Sequence, residues 1–387
     1  MKGLARRPWF APVVTLMVAA ALWFYPNLLD AAGWPVFYLL FAYTVFFWTA
    51  QSSSWNLFTG FSGYFSFGQG AFYGVGVYAV GVLVVKQGWP LLPTFLVGGL
   101  LSAMLGLFIG LIVFRLRRLR GEIFALMTLA VAFVLGAVAR VSSTIDGGQG
   151  IPLSSVPVPE ALGSHPEMIF RLGLITAVLA VVVAQVVQHS RLGWGLFSIR
   201  DDEDVAETLG VPTFRFKMVA LGLTAFLAGL SGAVHALQVS YVTIEEVFNI
   251  RVPLMVILMS ILGGTRHWMG PVLGALVVHT MSDRLNRAGL EAVSDLIIGG
   301  LLILMIVAVK EGLYLRMRER PWATSIGGIL GVAAGFVIGP LDSAVTHLAY
   351  VLLGAVLGAM VPQGRRGGRP SSPGAPAAEA IEEAVGG

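Results

Sequence analysis

The sequence predicts an all-α polytopic membrane protein: a helix bundle of about ten spans plus two half-length or re-entrant helices, with both termini cytoplasmic. Three observations predict it. Hydrophobic residues make up 56% of the 387 residues and charged residues 12%, with a mean hydropathy of +0.82, whereas an ordinary soluble domain is about a quarter charged. The apolar residues gather in runs of about 20, the length that crosses a bilayer as a helix with its backbone hydrogen bonds satisfied internally. Lys and Arg sort to one side of those runs. The absence of cysteine excludes a disulfide framework, a zinc ribbon and a thiol nucleophile. A net charge of +4 would suit nucleic acid in a soluble chain, but here an excess of Lys and Arg is topology information. No nucleic-acid partner is expected.

In chain order, spans are expected near 9–25, 35–57, 71–85, 91–114, 121–140, 169–188, 217–239 and 293–310. Two shorter runs, 252–262 and 271–283, flank Gly263-Gly264 and are bracketed by Gly270-Pro271, the pattern of broken or re-entrant helices. A last pair, 323–340 and 345–361, separated by Pro340-Leu341-Asp342, reads as a hairpin. The run from Gln363 to Gly387, rich in Gly, Pro, Ala, Ser and Glu, lacks apolar periodicity and reads as a disordered cytoplasmic tail. Lys2, Arg6 and Arg7 precede the first run as in a signal peptide, but the small residues Ala19-Ala20-Ala21 lie inside it, so a retained span is expected.

With the N-terminus cytoplasmic, alternation leaves only Lys86, Arg140, Arg171, Arg251, Arg284 and Arg287 outside and puts the other 19 of the 25 basic residues inside. That three-to-one bias is what the positive-inside rule requires.

Several chemistries are tested by motif. A phosphate-binding P-loop needs a lysine directly after glycine; the four lysines follow Met, Val, Phe and Val, so this chain has no such loop. Gly60-Phe61-Ser62-Gly63 and Gly229-Leu230-Ser231-Gly232 match G-x-S-G. With His235 or His279 as base they would make an intramembrane serine protease on paper, yet 48 glycines produce such matches easily, and Ala225, Gly229 and Gly232 suit close helix packing. An ion-coupled secondary transporter would need ionisable groups at membrane depth. Glu122, His235, His279 and Asp295 are the candidates, but Glu122 adjoins a basic cluster and Asp295 lies near a span end.

Two segments carry more. From Asn56 to Gly81, seven glycines alternate with Phe and Tyr, while Asn56, Ser66 and Gln69 supply polar groups. Glycine at that density weakens a continuous helix, and irregular backbone at membrane depth needs protein or a water-filled cavity beside it. A translocation path through Asn56, Ser66, Gln69 and Glu122 is one reading and tight packing the other. The loop from Ser190 to Phe216 contains the grammar of a short helix. Asp201 or Asp202 can cap it, Glu203 and Asp204 fill the first turn, Gly210 follows the last turn and Pro212 prevents continuation. Val205, Ala206 and Leu209 form a small apolar face, fit for docking a partner or for an ordinary connector.

These residues carry a resemblance. Asn56-Leu57, Gly60, Gly63, Ser66-Phe67-Gly68-Gln69, Ala71-Phe72, Gly74, Gly76 and Tyr78 resemble the N-L-x-x-G-x-x-G-x-x-S-x-G-x-x-A-F-x-G-x-G-x-Y signature of the branched-chain amino acid ABC importer permeases. Arg118-Leu119-Arg120-Gly121-Glu122 to Leu129 is similar to that family's R-L-R-G-x-Y-F-A-x-x-T-L block. The run from Ser190 to Val211 is similar to its cytoplasmic segment, and Ala228–Ala233 and Leu262–Ala275 to two later blocks. Coverage runs from about Asn56 to Leu313. Gln69 and Gly70 stand where the family often has His and Ala, and Asp146-Gly147-Gly148-Gln149-Gly150-Ile151 follows its T-G-G-x-x-G-I pattern loosely.

The resemblance implies a non-catalytic permease subunit in a bacterial inner membrane, with a permease domain at 1–320, an accessory hairpin at 321–362 and the tail at 363–387. It implies a second permease, two cytosolic ATPase subunits that use ATP and Mg, and a substrate-binding protein; no cofactor is expected in this chain. The coupling helix to the ATPase would comprise Asp202, Glu203, Val205, Ala206, Glu207, Leu209 and Gly210. The family's cargoes are leucine, isoleucine and valine, other amino acids, and urea or short amides.

Overall fold

A computed structural model of the chain describes residues 9–115, 121–153, 162–239, 241–287, 289, 296, 299–300 and 312–319. Most of the expected span 293–310, Asp295, the hairpin 321–362 and the tail 363–387 lie outside the described residues. Helices dominate: α1 (Phe10–Trp23), α2 (Tyr25–Ala32), α3 (Phe37–Trp55), α4 (Gln69–Val80), α5 (Leu91–Val113), α6 (Glu122–Val141), α7 (His165–Gln188), α8 (Arg191–Asp201), α9 (Glu203–Thr208), α10 (Thr213–His235), α11 (Ile244–Val247), α12 (Arg251–Gly263) and α13 (Met269–Arg287), with a further helix at Leu313–Glu319. Among the described residues, seven segments are long and apolar enough to cross a membrane. Helix α3 is not one of them, because its last turns carry Gln51-Ser52-Ser53-Ser54 in place of apolar residues.

Local grammar sets the boundaries. Pro26 near the start of α2 and Gly33 in the left-handed conformation (φ 65°) at its end are the start and stop signals of a short helix. The loop expected to hold one helix holds two: α8 is capped by Ser190, whose Oγ accepts from the Gly193 amide at 3.3 Å, and α9 follows directly.

Helix α10 is the axis of the bundle and packs on α3, α4, α5 and α7; α7 also covers α3 and α1. Close approach there depends on small residues, as lipid-exposed bundles require. A Cβ on Gly229 would fall inside 3.0 Å of the Ser102 hydroxyl, and one on Gly76 inside 3.0 Å of the Gly229 backbone. The second G-x-S-G match is thereby a packing seam. The two largest clusters of buried side chains centre on Tyr43, Phe47, Tyr73, Val77 and Phe248 and on Leu57, Phe58, Phe61, Phe124 and Leu221.

The expectation of two half-length or re-entrant helices is corrected. Helix α12 has 13 residues, but the bend at Phe248–Ile250 joins it to α11, and Ile244–Gly263 is a 20-residue candidate span. Helix α13 runs 19 residues back. Their connecting turn lies beside α8, where Arg266 reaches Asp201 at 3.9 Å and Arg200 reaches Thr265 at 3.4 Å. At the far end of α13, Arg287 stacks 3.7 Å over the Phe37 ring at the start of α3. The two helices are therefore an antiparallel pair that runs from one end of the bundle to the other. The short apolar runs misled because α13 starts before its run, at Met269, and continues past it from Arg284 to Arg287, while α11 extends α12 at its start.

The opposite end is built from loops. Strand β1 (Ile151–Pro152) pairs antiparallel with β2 (Tyr241–Val242), and Asp146 accepts from the Gly150 amide at 2.5 Å and from the Tyr78 hydroxyl at 3.1 Å. Arg140 pairs with Glu245 at 2.6 Å, and the Tyr241 hydroxyl donates to the Gln149 carbonyl. Gln149 and Glu245 thus share one end, and Asp202 lies beyond the start of α10 at the other. Single cysteines introduced into this cysteine-free chain are expected to take up an impermeant maleimide in intact cells at Gln149→Cys and Glu245→Cys but not at Asp202→Cys. Labelling in the reverse pattern would invert the orientation.

Candidate translocation path and coupling surface

Helix α3 is apolar over its first part and turns polar at Gln51. A fully buried carboxamide pair forms there: Gln69, the first residue of α4, donates from Nε2 to Gln51 Oε1 at 2.7 Å, to the Gln51 carbonyl at 3.0 Å and to Ser54 Oγ at 2.8 Å. Gln51 in turn donates to the Ala228 carbonyl of α10 at 3.2 Å, and Thr224 donates to the Ser54 carbonyl at 2.8 Å. A polar crosspiece thus joins α3, α4 and α10 in the interior.

Immediately beyond it the helix widens into a π-helical turn, Asn56–Gly60. Such turns are rare and gather at functional sites. Asn56 is fully buried, and neither its Oδ1 nor its Nδ2 has a hydrogen-bond partner; the same holds for Ser53 Oγ, Thr59 Oγ1 and Gln69 Oε1. Buried unpartnered amides each cost about 1–3 kcal/mol, so a concentration of them in one place is unusual for a segment that serves packing alone.

The structure brings Asn56 and Gln69 to this region but gives Ser66 another task. Its Oγ accepts from the Gly68 amide at 3.1 Å, and its carbonyl accepts from Trp55 Nε1 at 2.8 Å, which pins the non-helical segment 63–67 against α3. Glu122 is the first residue of α6. His235 accepts or donates at Nδ1 with the Tyr43 hydroxyl at 3.0 Å and stacks 4.1 Å from the Phe47 ring, while Ser62 donates to the Phe58 carbonyl. His279 lies 5.0 Å from the Phe41 ring. No Ser–His dyad is formed among these residues.

At the α8–α9 end, Asp202 caps α9 by accepting from the Asp204 and Val205 amides, both at 3.0 Å, and Gly210 closes it with φ 84°. The small apolar face expected of Val205, Ala206 and Leu209 is divided. Ala206 is buried by this chain, whereas Val205 and Leu209 are 53% and 79% exposed. The reason is helical geometry: Val205 and Leu209, four residues apart, share one side, while Glu203 and Ala206, three apart, share the other. Asp204 and Glu207 are exposed. Glu203 reaches inward to Lys217 Nζ at 2.5 Å and accepts a hydrogen bond from Tyr64.

Arg200, at the end of α8, donates to the Gly60 carbonyl and to Thr265 Oγ1. Burial, and then neighbouring Arg266, hold its guanidinium below its ordinary value. Gln51, Ser53, Ser54, Tyr64, Arg200 and Lys217 were not among the expected site residues. The run Gln51–Ser54 inside a hydrophobic span was a legible signal, whereas Lys217 read as one more topology charge.

An α-helical bundle with seven membrane-length apolar segments among the described residues defines a multi-pass membrane protein. Residues 37–306 match the family described as "Branched-chain amino acid transport system / permease component", and the chain belongs to that family of ABC permeases. Among curated relatives, it is 26% identical over 287 residues to the high-affinity branched-chain amino acid transport system permease protein LivM of Escherichia coli K12, covering 67% of this chain and 65% of that protein. It is 28% identical over 262 residues to the autoinducer 2 import system permease protein LsrC of Enterobacter sp. strain 638, covering 65% and 71%. It is also 28% identical over 142 residues to the ribose import permease protein RbsC of Bacillus subtilis, covering 35% and 44%. The chain thus spans just under two thirds of the length of LivM. No solved structure matches it.

Proposed function

We propose that this chain is the transmembrane permease subunit of an ATP-driven importer in a bacterial inner membrane, forming with a second permease the path for branched-chain or related amino acids. Two cytosolic ATPases and a substrate-binding protein complete the assembly, and α9 with its flanking residues is the coupling helix. The chain itself is non-catalytic, the ATPases supply ATP and Mg chemistry, and residues 1–320 form the transport domain with 321–362 as an accessory.

The observation that carries the reading is the buried, uncharged carboxamide and hydroxyl cluster at Gln51, Ser53, Asn56 and Gln69, set on a π-helical turn in a chain of permease family membership. Groups of this kind can exchange hydrogen bonds with a polar solute without a charge left at membrane depth. An amino acid cargo is supported by the family description and by LivM, whose name specifies branched-chain amino acids and which aligns over 67% of this chain; LsrC, whose name specifies autoinducer 2, aligns over 65%, so uptake of the cargo itself is the deciding measurement.

The test is uptake of leucine, isoleucine and valine by the assembled complex in proteoliposomes. Uptake is expected only with both ATPases, ATP and the loaded binding protein present. Asn56→Leu, close in volume, should cut it by about tenfold, the equivalent of one charge-free hydrogen-bonding group lost from the path. Wild-type uptake by Asn56→Leu would take Asn56 out of the path.

A further inference from the structure

The inward side of α9 is buried against this chain at Glu203 and Ala206, contacts unlike those of a solvated connector. Six residues are too few for a helix to persist alone, and α9 is held by the interior of the membrane domain. Lys217, near the start of α10, is buried, with 6% of its side chain exposed, and Glu203 has 9% exposed. Their 2.5 Å ion pair is shared with Tyr64: Lys217 Nζ lies 3.2 Å from the Tyr64 hydroxyl, 4.6 Å over its ring and 4.9 Å over the Phe114 ring. A buried ion pair adds little net stability but fixes geometry, because separating its members is costly.

Tyr64 belongs to the non-helical segment 63–67, between the π-helical turn and Gln69. A second joint sits alongside, where Arg200 donates to the Gly60 carbonyl at the end of that turn. Gly63, at φ 76°, brings its backbone against Arg200, since a Cβ there would lie 3.0 Å from Arg200 Cγ. The Phe61 and Phe197 rings meet 5.1 Å apart across the same seam. From Gln69 the connection continues to Gln51 and Ser54 through the bonds already described.

We propose that Tyr64, Glu203, Lys217 and Arg200 form a clamp that makes α8, α9 and the segment Gly60–Gly68 one rigid body, so that a displacement of α9 is delivered to the Gln51–Gln69 crosspiece. These four are positioning residues: they act on the path through the backbone that carries Asn56 and Gln69. The proposal rests on the coupling-helix reading and specifies how the load leaves that helix. Two joints are needed because one ion pair acts as a pivot, whereas a pair and a backbone-anchored guanidinium together resist rotation.

The experiment separates the clamp from the docking reading. In the assembled complex with ATPases and binding protein, Glu203→Gln should copurify the ATPase at wild-type level, since Glu203 faces inward. Amino acid taken up per ATP hydrolysed should fall about fivefold or more, the size of a typical coupling energy lost. Glu203→Lys and Lys217→Glu should each fail, and the double exchange should recover most of the loss. Loss of ATPase copurification in Glu203→Gln would overturn the clamp and mean that Glu203 serves docking. Normal copurification with an unchanged uptake-to-hydrolysis ratio would overturn the clamp and leave the docking surface standing.

For variants that fail to accumulate, a second measurement decides. Phe61→Cys with Phe197→Cys, joined by a short thiol cross-linker, should transport as well as the same variant untreated, because a rigid seam does not open during the cycle. Transport that stops on cross-linking would show that the seam opens and would refute the proposal.

Discussion

Replacing Gly274 by valine is expected to abolish accumulation of the folded chain. Gly274 faces α12, where a Cβ would fall inside 3.0 Å of the Met259 carbonyl oxygen, and the partner positions Gly263 and Gly270 are equally intolerant because each faces the backbone across the crossing. The neighbour in every case is main chain, which cannot rotate away. Helices α12 and α13 would have to separate, and with them the contacts of Met259 and Leu262, both buried, against Ala275 and Val278. Overpacking a well-filled core costs about 1–3 kcal/mol when side chains can shift, and more is expected where only backbone can yield. Gly136→Ala is the control. Its Cβ would meet only side chains of Phe248 and Ile244, at 3.3 and 3.4 Å, and the change gains helix propensity of about 1 kcal/mol. Fluorescence-detected size exclusion in detergent should give a monodisperse peak for Gly136→Ala and loss of it for Gly274→Val. A monodisperse, transport-competent Gly274→Val would mean that the crossing is looser than described.

Leu209→Asp is expected to release the ATPase without disturbing the membrane domain. Leu209 is 79% exposed at the end of α9, Val205 is 53% exposed on the same side, and both belong to a helix whose other side is anchored inward. Burying a leucine against a partner contributes about 2–3 kcal/mol, so a charge in its place should weaken the contact roughly 30- to 150-fold. Copurification of the ATPase and ligand-stimulated hydrolysis should fall together, while expression and thermal stability of the chain persist. Asp204→Asn, at an exposed position on the first turn, should have a milder effect. Wild-type copurification and hydrolysis for Leu209→Asp would leave α9 a connector and move the coupling contact elsewhere.

Much of this protein could be read without its tertiary structure. Apolar runs located six of the seven membrane-length segments among the described residues and only the second half of the remaining one, Ile244–Gly263, because a helix in lipid must satisfy its own backbone and its composition must match its solvent. Asp201 or Asp202 at one end and Gly210 at the other delimited α9 to within a residue, because caps are local: each involves residues two or three positions apart. Family membership was legible from glycine-rich and charged blocks at fixed spacing.

The tertiary structure decided what local rules do not reach. The periodicity of 203–209 could not divide the helix into an inward side with Glu203 and Ala206 and an outward side with Val205 and Leu209, because that choice depends on where Lys217 and Tyr64 arrive from distant parts of the chain. The runs 252–262 and 271–283 looked too short to cross, since hydropathy counts composition, whereas α13 continues through polar residues and gains Arg287 on Phe37 at its far end. Ser66 looked like a path residue, yet its hydroxyl binds the Gly68 amide two positions away. Gln51, Ser53 and Ser54 became candidate site residues only when α3, α4 and α10 met. A polar side chain in an apolar run marks a cost in its sequence, but whether that cost is met by a neighbour or left open toward a solute is fixed by the folding of segments more than a hundred residues apart.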